Sequence, residues 1–126
     1  MKNNLSNKLN NKSALFLLFI LLFLAACSTP VEENKNLDEL ASCITSSGAK
    51  MYGTEWCPHC KNQKQLFGSS FKLIKYIDCD KYKNECINAG IEGYPTWIIN
   101  NSLYPGTQSL YFLAEKTGCI DKLVAE

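Results

Sequence analysis

The apolar positions are unevenly spread along the chain. Residues 14–26, ALFLLFILLFLAA, form one unbroken apolar run. The next stretch, residues 28–36 (STPVEENKN), is polar, holds a proline and shows no period, which predicts a flexible tether. From residue 37 the pattern becomes that of a folded domain. Leu37, Leu40, Ala41 and Ile44 recur at helical spacing over residues 37–47 and predict a short amphipathic helix ended by Gly48. Residues 49–53 (AKMYG) predict a short strand that runs into TEWCPHC. Pro58 suits the first turn of a helix, where its missing N–H costs nothing, and that helix runs to Gly68. Residues 71–78 (FKLIKYID) are rich in aromatic and β-branched residues and predict a strand. Residues 81–90 predict a brief helix stopped by Gly90. Residues 95–100 and 103–106 predict two strands joined by a turn at Asn100-Asn101-Ser102. Residues 109–123 predict a last helix with Leu110, Leu113 and Ala114 on one face and a break or cap at Gly118. The order α–β–α–β–α–β–β–α points to an α/β domain: a small mixed sheet of about four strands with helices on both faces.

Charge removes one class of function. The formal net charge is +1 and every basic residue is a lysine. No basic patch marks a nucleic-acid partner. The lysines at positions 2, 8 and 12 precede the apolar run, and no acid appears before Glu32. A basic start followed by an apolar segment too short for a confident span predicts a secretory signal over residues 1–26. Leu24-Ala25-Ala26-Cys27 resembles the bacterial lipobox, whose cysteine is acylated and becomes the mature N-terminus. The expected organisation is therefore a signal peptide (1–26), a lipid-anchored tether (27–36) and a domain (37–126). The expected location is the cell envelope, outside the cytoplasm and held to a membrane through Cys27.

Assigning Cys27 to lipid changes the cysteine arithmetic. The chain has seven cysteines, an odd number that leaves a spare thiol in an exported protein. The remaining six, at 43, 57, 60, 79, 86 and 119, could all pair in an oxidising compartment. Cys57 and Cys60 enclose Pro58 and the only histidine, His59. Disulfide exchange needs a thiolate. At a helix N-terminus, unpaired N–H groups and the helix dipole favour the anionic sulfur, and His59 adds a donor or a positive charge. Cys60, one turn into the helix, is placed to close on Cys57. Two other readings compete. Cys57, His59 and Cys60 are metal-ligand types, but no second ligand pair stands at zinc-site spacing, so no metal site is expected. A purely structural Cys57–Cys60 bridge would close so small a loop that it would stabilise little.

These motifs carry a family resemblance. The run GAKMYGTEWCPHCKNQKQLFG, the later YIDC and the stretch C…AGIEGYPTWIIN resemble the thioredoxin-like superfamily. Within it they look like the domain associated with bacterial and plant homologues of vitamin K epoxide reductase. The resemblance implies a thioredoxin-like fold and thiol–disulfide oxidoreductase activity with no cofactor. It makes Cys57 the attacking and Cys60 the resolving cysteine of a redox disulfide, with Pro58 and His59 between them. It makes Pro95 a cis-proline facing the motif, and it places Trp56, Tyr94 and Pro95 where substrate binds. The CPHC sequence is similar to that of the bacterial oxidant DsbA, whose stabilised thiolate makes its disulfide strongly oxidising. The family's buried aspartate, six residues before the first cysteine, is replaced by Met51, which disfavours efficient reductase behaviour. The resembling branch has a second cysteine pair near 79 and 86, which implies Cys79–Cys86, structural or as a relay. Cys43 and Cys119 are then left to each other, and other pairings stay open. The implied partners are thiols and disulfides of exported proteins and a membrane homologue of vitamin K epoxide reductase. The opposite electron flow, as reductase or isomerase, and a metal-binding lipoprotein are the alternatives.

Overall fold

The computed structural model describes residues 31–123. The expected signal segment, the lipobox-like motif and Cys27 lie outside the described residues. Four strands form one mixed sheet in the order β2–β1–β3–β4. They are β1 (Lys50–Gly53), β2 (Tyr76–Asp78), β3 (Thr96–Ile99) and β4 (Ser102–Pro105). Strand β1 runs parallel to β2 and antiparallel to β3, and β3 and β4 form an antiparallel hairpin. The hairpin turns through Asn100 and Asn101 at φ 50° and 63°, a left-handed conformation that asparagine tolerates.

Side chains alternate across the strands and divide the core in two. On one face Met51 and Trp97, neighbours in register, are fully buried with Ile99. They pack with Leu40, Ala41 and Ile44 of α1 (Val31–Ser46), Phe67 of α2 (Pro58–Phe67) and Leu113 and Ala114 of α4 (Leu110–Thr117). On the other face Tyr52 and Ile77 pack with Cys79 and with Cys86 of α3 (Lys83–Asn88). A short helix, α5 (Ile120–Leu123), is the last element among the described residues. The sheet thus has helices on both faces, in a thioredoxin-like fold.

Two disulfides staple this frame. Cys43–Cys119 joins α1 to the α4–α5 junction, and Cys79–Cys86 joins the exit of β2 to α3. Gly118 caps α4 at φ 74°, and its N–H bonds back to Glu115, so the helix expected over 109–123 breaks at Gly118 as its sequence predicts. Ser109 caps the other end by accepting from the Phe112 N–H.

Two expectations need correction. Helix α1 begins at Val31, so residues 31–36 are helical rather than a tether. That stretch contains neither Gly nor Pro, and a helix seeded by the packed positions 37–44 can extend through it. The strand expected over 71–78 is present only at Tyr76–Asp78; a 3₁₀ helix, Gly68–Leu73, precedes it. Here packing overrides pattern. The Phe71 ring sits between Phe67 (6.3 Å) and Tyr76 (5.7 Å), which a strand would pull apart. Thr45 of α1 supplies the polar partners a neighbouring strand would have given. Its hydroxyl donates to the Leu73 carbonyl (2.8 Å) and accepts from the Lys75 N–H (3.1 Å).

Candidate active site

The site forms where β1 ends and α2 begins. Cys57 is the N-cap residue of α2, with the extended backbone (φ −72°, ψ 121°) that such a position requires, and Pro58 occupies the first turn. No side chain caps this helix. Its first-turn N–H groups are therefore left to whatever lies at the Cys57 end. Both cysteines are free thiols: Cys57 is 5% exposed and Cys60 fully buried.

The peptide bond between Tyr94 and Pro95 is cis, and the Tyr94 carbonyl lies beside the motif. The Cys57 thiol donates to that oxygen at 3.5 Å. Trp56 is 64% exposed. Its ring lies edge-on to Tyr94 at 6.2 Å, and its Nε1–H donates to Asp80 at 3.0 Å. The indole is thereby anchored at one edge and open on its faces, beside the cysteines. Pro58 and His59 are exposed on the rim. Thus Trp56, Cys57, Tyr94 and Pro95 converge, with Cys60 behind them.

Burial dominates the chemistry of Cys60. Loss of solvent pushes its thiol up to about 11; the Thr54 backbone hydrogen bond opposes this, the Cys57 sulfur adds to it and the Lys64 charge opposes it. Cys60 is thus held neutral at ordinary pH. Met51, six residues before Cys57, is fully buried against Trp97 and offers no proton acceptor.

Three neighbours of Cys60 were not singled out from sequence. Gly53 ends β1, and a Cβ on it would lie 2.6 Å from the Cys60 sulfur. Only a bare Cα lets the strand pass this close to the thiol. We expect Gly53→Ala to destabilise the reduced protein by about 1–3 kcal/mol in denaturant unfolding and to slow closure of the Cys57–Cys60 bond. Unchanged stability and closure would show that the sulfur has room to move. Gln63, also fully buried, sits one turn beyond Cys60. Its oxygen accepts from the Trp97 indole (3.1 Å) and the Gln108 N–H (2.7 Å), and its amide donates to the Gln108 carbonyl (3.0 Å). Thr107 adds a bond to the His59 carbonyl at 3.2 Å. These bonds fix the start of α2 against the 106–109 loop. The third neighbour is Lys64, whose charge acts on the Cys60 thiol. No local motif marks Gly53 or Gln63, whose roles come from chain segments distant in sequence.

The second cysteine pair occupies a different environment. Cys79 and Cys86 belong to the apolar cluster on the far face of the sheet, and Cys57 and Cys60 to the cluster on the near face. Gly53 lies between: its carbonyl accepts from the Cys79 N–H at 2.8 Å while its Cα faces the Cys60 sulfur. The sheet therefore separates the two pairs, which favours a staple over a direct relay for Cys79–Cys86. Among the described residues no group of three or more His, Cys, Asp or Glu side chains is placed to hold a metal ion.

The chain is 47% identical over 88 residues to the thiol-disulfide oxidoreductase LTO1 of Arabidopsis thaliana. The match covers 63% of this chain and 23% of that protein, so the chain spans about a quarter of its relative's length. No family model matches.

Proposed function

We propose that the chain is a thiol–disulfide oxidoreductase that passes the Cys57–Cys60 disulfide to protein thiols. The observation that carries this reading is the convergence of two adjacent thiols at an uncapped helix N-terminus with the cis Tyr94–Pro95 edge. The name and identity of the Arabidopsis relative support the same chemistry. A substrate thiolate attacks the Cys57 sulfur of the disulfide, forming a mixed disulfide. The electron pair of the broken bond leaves on Cys60, which takes a proton from solvent. A second substrate thiolate then attacks its own half of the mixed disulfide, and Cys57 departs as a thiolate. The substrate has lost two electrons and the chain has gained them. Trp56 and Tyr94 offer an aromatic rim on which an extended substrate segment can lie, and His59 stands at the same rim.

The oxidising direction is supported by the CPHC sequence and by Met51 in place of a buried acid. In this reading residues 1–26 direct export, Cys27 carries lipid in the cell envelope, and a membrane homologue of vitamin K epoxide reductase restores the disulfide. The test is transfer: the oxidised domain is mixed with a reduced, unfolded disulfide-containing protein at equal concentration. Oxidised substrate and reduced Cys57–Cys60 should appear together. A substrate that stays reduced, while a disulfide-bonded one is reduced by the dithiol form, would reverse the direction. Mass spectrometry of the membrane-extracted chain tests the anchor, which predicts a diacylated Cys27 as the first residue.

A further inference from the structure

Lys64 follows Cys60 by four residues on α2, so the two share one face of the helix. Helical side chains lean toward the N-terminus, and Lys64 does so. Its ammonium reaches back past the Cys60 turn to Glu55, which precedes the helix, and meets that carboxylate at 2.7 Å. On the way it lies 4.2 Å above the Tyr76 ring and 5.4 Å above the Phe71 ring. Tyr76 in turn lines the pocket of the thiol: its ring edge is 3.4 Å from the Gly53 Cβ position that the Cys60 sulfur crowds. The lysine side chain is only 23% exposed, whereas its carboxylate partner is 64% exposed. The cation is thus held inward, against the aromatic wall of the Cys60 pocket, and the anion faces water. Met51 supplies no acid, and the Lys64 charge favours the Cys60 thiolate against its burial; the one buried carboxylate among the described residues, Asp78, is paired with Lys81 at 3.3 Å.

We propose that Lys64 is a positioning charge that stabilises the Cys60 sulfur as an anion whenever the Cys57–Cys60 bond opens or closes. This rests on the exchange reading above. When a substrate thiolate attacks Cys57, the electron pair of the breaking bond collects on Cys60, and the ammonium offsets it before a proton arrives from water. In the reverse step Cys60 gives its proton to water, attacks the Cys57 sulfur of a mixed disulfide and expels the substrate thiolate. Glu55 and the Tyr76 face hold the ammonium in place, the second by a cation–π contact.

The test uses Lys64→Met, which keeps the apolar stem on Tyr76 and Phe71, and Lys64→Arg, which keeps the charge. The Cys60 thiolate is titrated by ultraviolet absorbance in a Cys57→Ser background, so this arm does not depend on exchange activity. Closure of a Cys57–glutathione mixed disulfide is then timed against pH in the two-cysteine protein. Lys64→Met should move the titration to higher pH and slow closure at neutral pH by roughly three- to tenfold, the scale of one partly exposed charge. Lys64→Arg should restore both, and alkylation of Cys57 should be unchanged. Coincident profiles for Lys64→Met and wild type, or equal shifts for Met and Arg, would overturn the inference and leave the exchange reading standing. A wild-type chain whose Cys60 titrates normally but never closes the mixed disulfide would overturn both.

Discussion

Replacing Cys60 with alanine should turn the chain from a catalyst into a trap. Cys57 keeps its place at the start of α2 beside the Tyr94 carbonyl, so attack on a substrate disulfide remains possible. The mixed disulfide that forms has lost its internal escape, because the only other free thiol among the described residues is Cys60. Non-reducing electrophoresis of whole-cell extracts should show Cys60→Ala in high-mass species that collapse on reduction. Cys57→Ala, and Cys57→Ala combined with Cys60→Ala, should show none. Turnover with a model disulfide substrate should fall by at least about a hundredfold, since release now awaits an external thiol. Adducts that persist in the Cys57→Ala chain would place the attacking sulfur elsewhere. An absence of adducts from Cys60→Ala would remove the exchange role altogether.

The second large effect concerns stability. The Cys43–Cys119 bond spans 76 residues. On the chain-entropy account, closing so long a loop in the unfolded state is worth about 4.5 kcal/mol, against about 2.4 kcal/mol for the seven-residue separation of Cys79–Cys86. A domain of this size has only about 5–15 kcal/mol in total. Cys43→Ala/Cys119→Ala should therefore lose a large part of the stability seen in urea unfolding, and Cys79→Ala/Cys86→Ala markedly less. The first bond also fastens α1 to the end of α4, the two helices whose Leu40, Ile44 and Leu113 build the near-face core. Its loss should loosen that face as one unit, together with Cys57 and Cys60, which pack in the same cluster. Equal losses for the two double variants would show that native-state packing, not loop length, sets the contribution of these bonds.

Most of the frame was readable because its signals are local. Gly48 and Gly118 stand at positive φ where helices end, and Asn100-Asn101 turn the hairpin. Pro58 begins its helix. The alternation of Trp97 and Ile98 across β3 follows from the period of a strand. What the pattern mistook was decided by tertiary contact. Residues 71–75 look extended by composition, but Phe71 finds a better place between Phe67 and Tyr76 than a strand would give it. The start of α1 lay in a polar stretch where no apolar period marks a helix. The same division runs through the site. Cys57, Cys60, Trp56, Tyr94 and Pro95 stand in motifs, and the structure brings them together. Gly53, Gln63 and Lys64 have no motif. Their parts depend on a strand passing a sulfur, an amide meeting a loop 45 residues away, and a lysine folding back over an aromatic ring.

The central claim is that Cys57–Cys60 is a cycling disulfide poised to oxidise other proteins. Its most direct test is the reduction potential of that pair, measured by equilibrating the domain in glutathione buffers of graded ratio and counting free Cys57 and Cys60 by alkylation and mass. The account predicts a reversible transition between about −180 and −120 mV, the range of disulfide-donating proteins. A transition near −270 mV, where thioredoxin lies, or a pair that does not cycle at all, would contradict it.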